Sequence, residues 1–116
     1  IGCIDGLCIK IIRPALGEYF PKVPNPAKFF NRKGFYALSM QGVCDAQRRL
    51  RSISIVCPGS VHDSLAHACS ALAAKIRDNK LPSGMFLNGD DAYACHEQMV
   101  TPYPGRGLSV DKDGFN

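Results

Sequence analysis

The chain of 116 residues has no tryptophan, no Cys-x-x-Cys pair, and no apolar run near the ~18–20 residues that span a bilayer. The missing run excludes a membrane-spanning helix, and the missing thiol pair removes the commonest zinc-ligand spacing. No positively charged stretch leads into an apolar segment, so there is no signal peptide to read. The first residue is Ile1 rather than Met, and the chain is expected to start inside something larger. Charged residues make up 21% and hydrophobic residues 46%, proportions that exclude a disordered tail, a collagen-like repeat and a coiled coil. What is left is one globular domain or a piece of one.

Six cysteines are present, at 3, 8, 44, 57, 69 and 95. Cys3, Cys57 and Cys69 sit in apolar runs, where a thiol behaves as a small buried hydrophobe. Reduced thiols and an intracellular compartment are the expectation. Acidic residues number 10 against 14 Lys and Arg, and the imbalance is local. Between Lys10 and Arg51 nine basic residues face only Glu18 and Asp45. A chain polarised in this way can offer a basic face to a polyanion and keep carboxylates elsewhere for a metal, although a solvated basic surface accounts for the charge equally well.

Apolar residues at 4, 7, 9 and 11 predict a first strand over 2–12, ended by Arg13-Pro14. Residues 14–34 hold four Pro with scattered aromatics and predict a long loop, of the kind that usually carries function. A second strand over 35–44 and a third over 50–57, joined by Asp45-Ala46-Gln47-Arg48, predict an antiparallel hairpin with one half-buried face. Ser60 opens a predicted helix whose apolar stripe runs through Leu65, Ala68, Cys69, Leu72, Ala73 and Ile76, with Pro82 and Gly84 as its stop. Met85 to Asn88 predicts a fourth strand, and 94–100 predicts one or two helical turns ahead of a polar, Gly-rich tail. A meander followed by a helical crossover returns the fourth strand parallel to the first.

That topology brings Asp5, in an apolar strand, toward Asp90, which follows the fourth strand behind Gly89. A buried carboxylate is costly unless it is paired or holds a cation, and two converging carboxylates suit Mg²⁺ or Mn²⁺ in phosphodiester chemistry. The plainer alternative is a turn Asp and a strand-end Asp. Asp63 fits a capping box in Ser60-Val61-His62-Asp63. The His62-Asp63 pair also raises an HD-type metal phosphohydrolase, for which only His67 and His96 remain as further ligands. Lys28, Arg32 and Lys33 are interleaved with Phe29, Phe30, Phe35 and Tyr36, a mixture that binds phosphates and stacks on unpaired bases, or else anchors a long loop in the core.

Five short motifs in series, Ile4-Asp5-Gly6, Asn31-Arg32-Lys33-Gly34, Gln41-Gly42-Val43-Cys44-Asp45, Pro58-Gly59-Ser60-Val61-His62-Asp63-Ser64 and Gly89-Asp90-Asp91-Ala92-Tyr93, resemble the PIF/Harbinger-type DDE superfamily of transposases and transposase-derived nucleases. The resemblance implies an RNase H-like α/β fold with a three-stranded antiparallel meander, a crossover helix and a parallel fourth strand. It further implies a divalent-metal-dependent DNA endonuclease and strand-transfer site. By position Asp5 matches the family's first catalytic, metal-holding carboxylate and Asp90 the second, with Asp63 in a supporting place. DNA is the implied partner, together with a separate DNA-binding protein and a nuclear location, and the basic, aromatic stretch of the loop over 14–34 makes Lys28, Arg32 and Lys33 the expected DNA contacts. The family's third carboxylate, on a helix beyond the fourth strand, has no counterpart here. Glu97, Asp111 and Asp113 lack its surroundings, and the fifth strand is expected to be missing. Residues 1–116 therefore read as a partial core, either of a nuclease or of a catalytically dead nucleic-acid-binding or protein-interaction relic.

Overall fold

Side chains alternate across a strand, so the burial pattern of the first strand settles which face of the sheet is covered. A computed structural model describes residues 2–15, 23, 25–78 and 80–116. In β1 (Gly2–Lys10) Gly2 and Ile4 are buried while Cys3, Asp5 and Leu7 are exposed. β2 (Ala37–Asp45) pairs antiparallel with β1, and its Ala37, Ser39, Gln41 and Val43 share the covered side. β3 (Leu50–Pro58) completes the meander with two register irregularities against β2. The hairpin between them turns on Asp45, whose Oδ1 accepts from the backbone N–H groups of Gln47 and Arg49 at 3.0 Å each. Those backbone bonds and the Arg49 guanidinium hold its carboxyl below the ordinary range.

The helical layer consists of α1 (Asp63–Ala68) and α2 (Ala71–Arg77), followed by β4 (Leu87–Asn88), β5 (Met99–Val100) and α3 (Val110–Phe115). The strand order is β3-β2-β1-β4-β5, with β4 parallel to β1 and β5 parallel to β4. This is a mixed α/β sheet with RNase H-like strand order, as the resemblance implies. Ile4, Val43, Leu87, Tyr93 and Met99 form the core, with Leu72 and Ile76 of α2 packed against it.

Several expectations need correction. The single helix from Ser60 is two helices, because Ser70 adopts an extended conformation and caps α2, its hydroxyl accepting from Ala73 N–H at 3.1 Å. The break rotates the stripe: Ala66, Ser70 and Ala73 are buried, whereas Leu65 is 56% exposed. No capping box forms at α1, whose N-cap is His62 with no side-chain bond to the helix start. The fifth strand, expected to be missing, is present as β5, where helical turns over 94–100 were predicted, and the tail contains α3. Asp5 lies on an exposed face and not in a buried strand, and Cys3 and Cys69 are exposed, while Cys57 is buried as expected. All six thiols are free. In β3 the alternation is inverted: Ser52 and Ser54 turn partly inward while Ile53 and Ile55 are exposed. Of the loop over 14–34, residues 16–22 and 24 lie outside the described residues. Its end is a 3-10 turn, Pro26–Phe29, with Asn25 capping through a 3.1 Å bond from Ala27 N–H.

Candidate functional site

β1 and β4 run in step. Gly2 faces Leu87, Cys3 faces Asn88, and a Cβ at Gly89 would stand 3.3 Å from Ile4 Cγ2. One residue further along each chain come Asp5 and Asp90. Both are exposed, and each is steadied by its own backbone: Asp5 Oδ1 accepts from Gly6 N–H at 2.7 Å, Asp90 Oδ1 from Ala92 N–H at 3.1 Å. The ion pairs among the described residues join Arg49 to Asp45 and Lys80 to Asp78, so neither Asp5 nor Asp90 is neutralised by one of them. Two exposed carboxylates with open oxygens are the hard donors that a divalent cation takes. Among the described residues no group of three His, Cys, Asp or Glu gathers as a metal cage.

Asp63 belongs to a different part of the site. It sits on the covered face of β1, where a Cβ on Gly6 would fall on its carboxylate, so a larger residue there would make the Asp63 side chain swing away from its present place. Its Oδ1 accepts from Gln41 Nε2 at 3.0 Å, and Gln41 Oε1 accepts from the Tyr93 hydroxyl at 2.5 Å. The chain Asp63–Gln41–Tyr93 ties α1 and β2 to the segment carrying Asp90. Burial pushes the Tyr93 phenol far above its ordinary range, and the negative charges of Asp63, Asp5 and Asp90 push it further. All three carboxylates are thus close enough to be felt at one hydroxyl. His67 meets Tyr93 edge-on at 5.8 Å, and burial, then the charge of His96, hold its imidazole below its ordinary pKa.

Gln41 and Tyr93 received no role from sequence reasoning. The signal was there for Gln41: a long amide among Ala37, Ser39 and Val43 on the covered side of β2 must find a partner. Gln41→Leu leaves the Tyr93 hydroxyl and one Asp63 oxygen without their partner, at an expected cost of about 1–3 kcal/mol. Adding Tyr93→Phe recovers part of that loss, so a double-mutant cycle in urea returns a coupling energy rather than a sum.

Lys28, Arg32 and Lys33 are all exposed. Arg32 and Lys33 ride a turn built by Asn31, whose Oδ1 accepts from Lys33 N–H at 3.0 Å and Phe35 N–H at 3.3 Å, with Gly34 at φ +86° closing it. Phe30 and Tyr36 flank the turn as a bridge, with rings 5.1 Å apart edge to face. Lys10 lies over the Phe35 ring at 5.8 Å and Arg13 over Tyr36 at 5.9 Å. This basic and aromatic surface follows the carboxyl end of β1, as Asp90 follows that of β4. His62, by contrast, is an exposed N-cap beside an Asp63 turned toward Gln41, an arrangement that gives the HD-type alternative no ligand set among the described residues.

No helix among the described residues is long and apolar enough to cross a membrane. No curated protein and no solved structure matches the chain. A family model described as DDE superfamily endonuclease does match, over residues 4–116, a span that takes in Asp5, Asp63, Asp90 and the basic turn. The sheet order and the family match agree, and the chain belongs to the DDE superfamily endonuclease family.

Proposed function

We propose that the chain belongs to the catalytic core of a PIF/Harbinger-type nuclease that cuts DNA with Mg²⁺ or Mn²⁺. The observation that carries the reading is the parallel register of β1 and β4, which leads on to Asp5 in β1 and to Asp90 two residues past the end of β4, both exposed and outside any ion pair among the described residues. Asp5 and Asp90 would hold the cation, which when bound activates a water or 3′ hydroxyl and offsets charge at phosphorus. Asp63 holds Gln41 and, through it, the Tyr93 that follows Asp90. Lys28, Arg32 and Lys33 grip the DNA backbone. Strand transfer, a nuclear location and a separate DNA-binding partner complete the proposal.

Nicking of a supercoiled plasmid by the full chain, dependent on Mg²⁺ or Mn²⁺ and abolished by chelator, is the expected result. Salt-sensitive DNA binding with no cleavage in either metal replaces this reading with a non-catalytic nucleic-acid module. The basic turn has its own check. Charge reversal of Lys28, Arg32 and Lys33 to Glu should lower the log–log salt slope of DNA binding by about 2–3, near one unit per lost phosphate contact. An unchanged slope removes those three residues from the interface.

A further inference from the structure

The helix-bearing side carries a second feature, away from the carboxylates. A groove of about 540 Å³ opens between α2 and the starts of β1 and β4. Its floor is apolar, made by the buried Val43 and Leu87 with the half-buried Leu72, Leu81 and Phe86. Its rim is cationic: Arg51 and Lys75 are exposed and take part in neither of the ion pairs among the described residues. Asp45, the carboxylate on the groove wall, is already engaged by Arg49 and by two backbone N–H groups. Met85, half exposed, forms an apolar lip.

We infer that this groove docks an acidic amphipathic segment of a partner protein. Charge complementarity selects the occupant: the floor takes Leu-, Ile- or Phe-sized side chains at helical spacing, while Arg51 and Lys75 meet flanking Glu or Asp carboxylates. Duplex DNA fits less well, since its charged backbone has nothing to place on an apolar floor. The groove also faces the covered side of the sheet, whereas Asp5 faces the other. Neither Asp5 nor Asp90 lines the groove, so a partner seated there leaves the carboxylates untouched.

The test is fluorescence anisotropy on the full chain with a synthetic helical peptide carrying Leu at i, i+3, i+4 and i+7 and Glu elsewhere. The expected result is saturable binding that weakens about tenfold or more in the Arg51→Glu/Lys75→Glu variant and again in Met85→Asp, with circular dichroism unchanged. A scrambled peptide and one with Lys in place of Glu should not bind. Equal affinity in the charge-reversed variant, equal binding of either control peptide, or displacement of the peptide by a short DNA duplex overturns the inference.

Discussion

Asn in place of Asp5 or of Asp90 is expected to lower metal-dependent DNA cleavage by well over the ~10–100-fold that loss of an outer partner of a metal ligand typically costs. Asn keeps the size and one acceptor oxygen but surrenders the charge, which is what a hard divalent cation binds. Both side chains are exposed and bond only to backbone within two residues, so the fold should be indifferent to the change. That separation makes the experiment clean: circular dichroism and thermal unfolding stay at wild-type values while cleavage falls. Titration calorimetry with Mn²⁺ should lose its binding heat in each variant. Asp63→Asn is the graded control. Its amide oxygen can still accept from Gln41 Nε2, and the expected loss stays within the outer-partner range. Wild-type heats and rates in both Asp5→Asn and Asp90→Asn would move the metal site elsewhere in the chain.

Local patterns show in a sequence, whereas contacts between distant segments do not. The strands of the meander were legible because alternation is a local property, and the parallel return of β4 followed from handedness once a crossover was assumed. Asp5 and Asp90 stand out as candidates for the same reason, since one is a charged residue interrupting an apolar strand and the other is set off by Gly89. Their exposure does not. The apolar residues around Asp5 suggested burial on both faces, yet Leu7, Ile53 and Ile55 are all exposed on the side of the sheet that Asp5 shares. The helix break was hidden because Ser70 sits at a stripe-compatible position, and a serine hydroxyl serves equally as a tolerated interior residue or as a cap. The Asp63–Gln41–Tyr93 chain joins residues 22 and 52 positions apart, a pairing no spacing rule anticipates.

β5 leaves no signature in the sequence, and Met99→Ala measures how much it matters. A two-residue strand shows no periodicity, and the surrounding Cys95-His96-Glu97-Gln98 is as compatible with a helical turn as with the turn actually formed, in which His96 and Met99 exchange backbone bonds at 2.9 Å. Met99 is nevertheless fully buried and packs with Ile4, Val43, Leu87 and Tyr93 at the centre of the core. Truncation to Ala should cost about 2–5 kcal/mol in urea or thermal unfolding, the range for emptying a buried site of this size. Met99→Leu keeps the volume and should stay below about 1.5 kcal/mol. Met85→Ala, at a half-exposed position leading into β4, should fall near 0.5 kcal/mol or less. A loss below about 1 kcal/mol in Met99→Ala would make β5 an appended edge, not a core strand. The consequence reaches the site, because β5 and the residue before it hold the β4 segment through Leu87 N–H to Gln98 O and Gly89 N–H to Val100 O, both 3.0 Å, and Gly89 immediately precedes Asp90. Loosening that edge shifts one carboxylate of the pair and leaves Asp5 in place, so cleavage by Met99→Ala should drop at temperatures where the chain is still folded.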